Sequence, residues 1–280
     1  MEHGHNKEEF DKCLEHLHLE PISRRMKAYL LPKETELDSY VDYLIQIGME
    51  NDCDKIIFFV TGEETRLMQE RFYSYEGRIG GFFDGEDAYV YALFLDEKRN
   101  IRSATEKEKR VLQTAFSYAT KEEGEAGKSY YIRRAQKADR FGMSQLYKQV
   151  FASYPTPMDD PDFILEMMES GVYAMVGEYE GRIVSSCAGD WMPLYNACEL
   201  TDCATLPEHR GKGLLVSQAR RILEACRERR VKTIFSYSRS LSTGMNIINA
   251  RLGFKYGGRM VRNSNIAGSF ENMNIWYRNL

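Results

Sequence analysis

One short stretch, 205–216, constrains the fold of this 280-residue chain more than any other part. It reads Thr-Leu-Pro-Glu-His-Arg-Gly-Lys-Gly-Leu-Leu-Val and overlaps the end of an apolar run, 197–206, that is typical of a buried strand. The pattern predicts a strand, a tight loop and an amphipathic helix in that order. The apolar face of the helix would carry Leu215, Ala219, Ile222, Leu223 and Cys226.

The loop between that strand and helix has the features of an anion site. Backbone N–H groups at a helix N-terminus point at a ligand, and the helix dipole favours negative charge there. Gly211 and Gly213 let a phosphate approach the main chain, while Arg210 and Lys212 add positive charge. A glycine-rich turn before a helix is also often only a turn, so the loop by itself leaves both readings open.

A second glycine-rich stretch, 124–129, resembles the end of a Walker A phosphate loop. The first glycine of that motif would stand at position 122, which is Glu, and a strand-like run, 130–132, follows where the motif needs a helix. We interpret this stretch as part of a linker.

Composition limits the classes of protein that fit. The chain is 43% hydrophobic and 12% aromatic, which suits a well-packed soluble protein, and it has no apolar run approaching the ~20 residues of a membrane span. The polar start, 1–7, lacks the apolar core of a signal peptide. A net charge of −4 argues against binding nucleic acid through phosphates. We therefore expect a cytoplasmic protein without a membrane or nucleic-acid partner.

The cysteine and histidine patterns predict no metal. Six cysteines contain no C-x-x-C pair, so buried reduced thiols are expected. Two histidine pairs near the N-terminus, His3/His5 and His16/His18, lack further ligands nearby in sequence.

Charge-rich residues divide the chain into three predicted parts: an N-terminal α/β domain, 1–100, a connecting helix or linker, 101–128, and a second domain, 129–280. In the second domain strands alternate with helices and the chain ends in paired strands, which indicates a mixed sheet covered by helices. Segment 37–95 runs helix, strand, helix and strands in the same order as segment 215–277. The first domain therefore resembles half of the second, although an unrelated small α/β domain fits the pattern equally well.

Three features of the second domain resemble the GCN5-related N-acetyltransferases. The loop Arg210-x-x-Gly213-x-Leu215 follows that family's pyrophosphate-binding pattern, except that Leu215 replaces a Gly or Ala. Pro207 and the pair Gly253-Phe254 also stand where the family has them. The resemblance implies a mixed, mostly antiparallel sheet with flanking helices and acetyl-CoA as co-substrate. The implied cofactor-binding residues are Ala204, Thr205, Leu206, Arg210, Gly211, Lys212, Gly213, Leu214, Leu215, Asn246 and Asn249.

Three longer segments, 81–89, 199–214 and 263–276, resemble the beta-lysine N-acetyltransferase family, so the likeness spans nearly the whole chain. The resemblance implies transfer of an acetyl group from acetyl-CoA to the side-chain amine of beta-lysine. The product would be the compatible solute N-epsilon-acetyl-beta-lysine.

Acetyl transfer requires a neutral amine, yet a lysine-type amine has a pKa near 10.4, so some group must accept a proton. Two carboxylates on strand 197–206 are available. They stand three residues apart and should face opposite sides of the sheet, so we favour Glu199 as the base and Asp202 as a substrate or structural contact. A purely structural role for both stays open.

The proton donor for the leaving thiolate is less defined. Many relatives have a tyrosine at the position of Asn249. Tyr237 and Tyr256 are substitutes by location, and either also fits as an aromatic core residue. A thiol with a pKa near 8.5 can also leave without a donor.

A beta-amino acid acceptor carries one carboxylate and two amines, so its recognition calls for an arginine and an acid. Arginine candidates are Arg239, Arg259 and Arg262, and acid candidates are Glu271 and Asp202. The polar run from Asn263 to Asn265 fits either a pocket wall or a solvated hairpin loop.

Two other functions remain open at this point. The same machinery could acetylate another small amine, a polyamine or a protein terminus. Alternatively, the chain could be a non-catalytic acetyl-CoA sensor, an idea that the absent tyrosine at position 249 favours slightly. The oligomeric state is also open, with a homodimer as one expectation.

Overall fold

The structure, a computed structural model, describes residues 10–119, 124, 126–266 and 268–280. The first histidine pair, most of the charged run 121–125 and Ala267 in the last polar segment lie outside the described residues.

Strands dominate both parts of the chain. The strands are β1 (Leu17–Glu20), β2 (Arg25–Ala28), β3 (Lys55–Val60), β4 (Ser74–Phe83), β5 (Glu86–Phe94), β6 (Tyr130–Arg134), β7 (Tyr173–Tyr179), β8 (Arg182–Met192), β9 (Ala197–Thr205), β10 (Thr233–Arg239), β11 (Lys255–Ile266) and β12 (Ser269–Asn279). The helices are α1 (Leu37–Glu50), α2 (Thr65–Glu70), α3 (Glu106–Ser117), α4 (Arg140–Val150), α5 (Pro161–Glu169), α6 (Leu214–Glu228) and α7 (Thr243–Arg251).

All of these strands belong to one sheet, in the order β1-β2-β3-β5-β4-β11-β12-β10-β9-β8-β7-β6. In the described residues the pairs β2–β3 and β9–β10 are parallel and the other neighbours are antiparallel. The predicted fold class, a mixed and mostly antiparallel sheet with flanking helices, is therefore confirmed. The predicted domain boundaries stay a prediction, because the sheet runs through both parts.

The amphipathic helix α6 forms where the sequence predicts it and positions the glycine loop. Its buried stripe packs under the sheet against β7, β8 and β9. The connecting helix α3 is also confirmed, and a capping box between Thr105 and Glu108 fixes its first turn. Hydrophobic periodicity was sufficient for both helices because each buries one continuous apolar face.

The N-terminal elements repeat the pairing of the C-terminal elements. The hairpin β1–β2 turns through Pro21–Ser23 and a left-handed Arg24, as β8–β9 turns through Pro193–Tyr195 and a left-handed Asn196. After a helix, β3 adds parallel to β2 as β10 adds parallel to β9. The hairpin β1–β2 is the part of this repeat that the sequence patterns did not predict, because its strands are only four residues long.

The two repeats meet where β4 pairs with β11 at Gly77 and Gly258. Both glycines have positive φ, and a Cβ on either one would collide with the backbone of the opposite strand. A shared core then forms from side chains of both repeats, including Phe59, Phe82 and Phe235. The N-terminal repeat is therefore packed against the C-terminal one as part of a single structure.

Candidate active site

Strands β9 and β10 separate partway along their length and open a cavity. They pair from Ala197 with Thr233 to Glu199 with Phe235, and in the described strands the pairing goes no further. A cavity of about 1170 Å³ extends from the loop before α6, through the gap between the strands, to the hairpin β1–β2. Glu199 stands where the two strands part.

The glycine loop forms one end of this cavity. Gly211 and Gly213 have φ values of 71° and 75° and lead directly into α6, so the N-terminus of that helix, with its unpaired amides, lies at the cavity. Arg210 Nε donates a hydrogen bond to the carbonyl of Thr205 at 3.1 Å. The predicted cofactor residues that line the cavity here are Thr205, Arg210, Gly211, Lys212, Gly213, Leu214 and Leu215.

Two residues predicted to bind the cofactor, one on β9 and one just after it, face away from the cavity. Ala204 and Leu206 are buried in the apolar core under α4 and α5. The amide of Leu206 is already bonded to the carbonyl of Val184 at 2.9 Å. The sheet therefore uses the amide of Leu206 itself, and cofactor binding by the backbone amides around it stays a prediction.

The two asparagines predicted to contact the cofactor lie in the interior. Asn246 uses its whole amide internally: it donates to the carbonyls of Arg239 and Ser242 and accepts from Asn274 and Trp276. Asn249 donates to Ser238 Oγ at 2.7 Å and is fully buried. Neither side chain lines the cavity in this structure, so we correct both to structural roles.

The carboxylates Glu199 and Asp202 both line the cavity, contrary to the expectation that they face opposite sides. A β-bulge explains the difference. Ser186 pairs with Ala204 while Ala188 pairs with Thr201, so two residues of β9 oppose one of β8, and Asp202 has a φ of 50°. The extra residue resets the alternation of side chains along the strand.

The part of the cavity around Glu199 and Asp202 disfavours ionised carboxylates. Desolvation raises the pKa of Glu199 to about 7; the charge of Lys27 opposes this shift and that of Asp190 adds to it. Asp190 is the direct cross-strand neighbour of Glu199. Desolvation also raises the pKa of Asp202 to about 6, although a hydrogen bond donated by Tyr154 at 3.0 Å opposes it. Glu199 can therefore exchange a proton near neutral pH.

The two tyrosines proposed as proton donors have different surroundings. Tyr237 lines the cavity, and its buried hydroxyl has no hydrogen-bond partner among the described residues. Desolvation, reinforced by the charge of Glu199, raises the pKa of Tyr237 well above 10, so it is protonated. Tyr256 packs on Phe116 and Trp276 outside the cavity, and we correct it to a core residue.

The arginines predicted to bind substrate are engaged elsewhere or already paired. Arg239 lines the cavity but forms a two-point ion pair with Glu271, at 2.9 and 2.5 Å. Arg259 bonds the carbonyl of Arg102, and Arg262 bonds that of Lys98, both away from the cavity. We therefore correct Arg259, Arg262 and Glu271 to structural contacts.

The polar run after Arg262 is not a solvated loop, because it lies inside β11, and it contributes one residue to the cavity wall. Asn263 is fully buried and its carbonyl accepts from Arg25 at 2.7 Å. Asn265 donates to the carbonyl of Ile22 at 3.2 Å. These residues join β11 to the N-terminal hairpin, and only Ser264 of the run lines the cavity. We therefore correct Asn263 and Asn265 from substrate-binding residues to structural contacts.

Several residues of the cavity were missed by the sequence patterns. The N-terminal hairpin contributes His18, Glu20, Arg25 and Lys27, the next residue is Tyr29, and the C-terminal repeat adds Tyr154 and Asp190. The alternation of charged and apolar residues in Arg25-Met26-Lys27-Ala28 was the one available signal for the hairpin.

The splayed strands, the carboxylate between them and the glycine loop at a helix N-terminus together define an N-acetyltransferase. The family model described as "Acetyltransferase (GNAT) family" matches residues 141–245. Beta-lysine N(6)-acetyltransferase of Methanosarcina mazei is 31% identical, over 81% of this chain and 91% of that protein. The chain belongs to the beta-lysine N6-acetyltransferase family.

Two further relatives agree with this class. Beta-lysine N(6)-acetyltransferase of Methanococcus maripaludis is 28% identical, over 90% of this chain and 92% of that protein. N-acetyltransferase YodP of Bacillus subtilis is 29% identical, over 85% and 86%. The protein is thus an acetyl-CoA-dependent N-acetyltransferase.

Within the described residues, none of the helices is long and apolar enough to cross a membrane. No group of three or more metal-ligating side chains occurs in that part of the chain either.

Proposed function

We propose that this enzyme transfers the acetyl group of acetyl-CoA to the side-chain amine of beta-lysine and releases N-epsilon-acetyl-beta-lysine, a compatible solute, in the cytoplasm. Two of the relatives carry that activity in their names, whereas YodP is named only as an N-acetyltransferase. The cavity supports a small acceptor, because residues of the N-terminal hairpin line it together with those of β9 and β10.

Glu199 is the proposed base. The acceptor enters as an ammonium, which the carboxylates of Glu199 and Asp190 attract, and it must lose a proton before it attacks the thioester carbon. With a pKa of about 7, Glu199 is partly ionised at neutral pH and can accept that proton. The new C–N bond forms, the C–S bond breaks, and the electron pair of the C–S bond leaves with the sulfur of coenzyme A.

Tyr237 is the proposed proton donor to that sulfur. Its hydroxyl lies in the same cavity, remains protonated at neutral pH and forms no hydrogen bond within the part of the chain that the structure describes. Because coenzyme A is a thiol with an ordinary pKa near 8.5, this proton transfer needs only modest assistance.

The observation that carries the proposal is Glu199 at the point where β9 and β10 part, with its pKa raised towards neutrality. The test is release of free thiol from acetyl-CoA with beta-lysine, alpha-lysine, spermidine and a short peptide as acceptors. We expect the highest kcat/KM with beta-lysine. A clear preference for another acceptor would make that acceptor the substrate in place of beta-lysine. Acetyl-CoA binding without turnover of any amine would mean that the protein is a sensor and not an enzyme.

A further inference from the structure

The internal repeat places residues of the hairpin β1–β2 and of the hairpin β8–β9 at equivalent positions. Lys27 is the third residue after the left-handed Arg24, as Glu199 is the third after the left-handed Asn196. The cross-strand neighbours correspond as well: His18 pairs with Lys27, as Asp190 pairs with Glu199. The N-terminal repeat thus carries a basic pair where the catalytic repeat carries an acidic pair.

These two pairs line the same cavity. The charge of Lys27 lowers the pKa of both Glu199 and Asp190, which means that the ammonium lies within electrostatic reach of both carboxylates. Strands β8 and β9 therefore line the acceptor chamber with two acids, Asp190 and Glu199, while the β1–β2 hairpin lines it with two cations, Arg25 and Lys27, and one carboxylate, Glu20. An acceptor with an amine at one end and a carboxylate at the other complements this arrangement.

Three cationic side chains on the described strands line this cavity: Arg25, Lys27 and Arg239. Arg239 directs its guanidinium at both oxygens of Glu271. Arg25 bonds Glu20 at 2.6 Å, the carbonyl of Asn263 at 2.7 Å and Ser264 Oγ at 3.0 Å. Both guanidinium groups are therefore occupied by protein acceptors.

Lys27 differs from the two arginines because its ammonium can still donate hydrogen bonds to a ligand. Its ammonium pairs with Glu20 Oε1 at 2.6 Å and lies 5.6 Å from the centre of the Tyr237 ring. A lysine ammonium has three donors, so capacity remains for an anion in the cavity. Arg25 also pairs with Glu20 and shares its charge, so Lys27 is not fully neutralised by that carboxylate.

We propose that Lys27 determines acceptor specificity by binding the carboxylate of an amino-acid acceptor while Asp190 and Glu199 bind the amine that is acetylated. The proposal rests on the proposed function, since it supposes an acceptor that carries a carboxylate. The N-terminal repeat then supplies the part of the substrate site that distinguishes an amino acid from a simple diamine.

The experiment compares acceptors that differ only in the carboxylate. The pairs are beta-lysine with 1,4-diaminopentane, and alpha-lysine with cadaverine. The wild-type enzyme should prefer the carboxylate-bearing member of a pair, and Lys27→Met should lower kcat/KM for that member by about 10- to 100-fold, the range of a lost hydrogen bond to a charged group. The carboxylate-free member should change far less, and Lys27→Arg should restore much of the preference.

Lys148→Met is the matched control, because Lys148 is exposed on α4 and lies outside the cavity. Calorimetric titration with acetyl-CoA shows whether Lys27→Met still folds and binds the cofactor. Equal losses with both members of a pair would overturn the inference while the beta-lysine activity stands. A wild-type enzyme that uses alpha-lysine but not beta-lysine would overturn the proposed function, and the alpha-lysine pair would then test Lys27. A wild-type enzyme without any carboxylate preference would overturn the role of Lys27.

Discussion

The two ends of the cavity are built in different ways. The cofactor end comes from one continuous segment, 205–215, in which a strand, a glycine loop and a helix follow each other directly. The acceptor end comes from segments far apart in the chain, including the hairpin 17–28, Tyr154, Asp190 and strand β10. In the proposed assignment, a local motif thus provides cofactor binding, whereas the acceptor site depends on how the two repeats pack.

The largest expected effect comes from the base at the acceptor end. Glu199→Gln should lower kcat by about 10²- to 10⁴-fold, the usual contribution of a general base, because an amide cannot accept the proton of the amine. The acetyl-CoA dissociation constant should stay near that of the wild type, since the loop is untouched. Steady-state thiol release and calorimetric titration measure the two quantities.

The exposed Glu224 on α6 provides the control, and Glu224→Gln should behave as the wild type. If Glu199→Gln retained most of its turnover, the base would have to be sought among the other carboxylates of the cavity. If it instead lost acetyl-CoA binding, the two ends of the cavity would not be separable.

The second effect acts on the cofactor end. Gly211 has a φ of 71° and open space around its Cβ position, so Gly211→Ala changes only the backbone preference. An L-residue in that conformation costs roughly 1–2 kcal/mol, which corresponds to about 5- to 30-fold weaker acetyl-CoA binding if the loop relaxes. The kcat at saturating acetyl-CoA should change little.

Gly181→Ala is the matched control for this change. Gly181 has a φ of 76°, equally open surroundings and a position in the β7–β8 turn outside the cavity. It should lower the free energy of unfolding by a similar amount while leaving acetyl-CoA binding unchanged. Equal effects of both variants on acetyl-CoA binding would mean that general stability, and not the loop, governs affinity.

The two ends of the cavity also differ in how well the sequence predicts them, because one is local in the chain and the other is not. The mixed sheet, helix α6 and the loop were predictable, because each depends on periodicity or glycine positions within a short segment. The bulge at Asp202 was not, because it depends on the partner strand β8 and no residue pattern in β9 marks it. Without the bulge, both carboxylates could not be assigned to one cavity.

Polar residues were the least predictable from the sequence. Asn246 and Arg239 are of the types that bind ligands, yet Asn246 has its four hydrogen bonds inside the protein and Arg239 has a buried partner in Glu271. Which polar group is satisfied internally is decided by contacts distant in the chain. The short hairpin that carries Lys27 was not predicted for a related reason. Its strands can be recognised only from their pairing with β3, which is distant in the chain.

A smaller effect separates the two tyrosines. Tyr237→Phe should lower kcat by less than about tenfold, because the thiol of coenzyme A is a good leaving group and needs little protonation. Tyr256→Phe should leave kcat unchanged, since that ring packs outside the cavity on Phe116 and Trp276. Single-turnover release of thiol is the direct measurement. The reverse order of effects would return the donor role to Tyr256.

The smallest effect is a shift in pH dependence. The proposed base must act as its carboxylate, so the raised pKa of Glu199, about 7, means that kcat/KM should rise as the pH increases through about 7. Asp190 contributes to that raised pKa through like charge across the β8–β9 pair. Asp190→Asn removes the charge, lowers the pKa of Glu199 and should move the acidic limb of the profile down by a fraction of a pH unit.

The control for this shift is Asp42→Asn on the outer face of α1, which should leave the limb in place. Lys27→Met should move it the opposite way, because Lys27 lowers the pKa of Glu199. Opposite shifts from residues on different repeats would establish that one base senses both walls of the chamber. If neither variant moved the limb, the titrating group would not be Glu199, and the electrostatic coupling between the repeats would have no role in turnover.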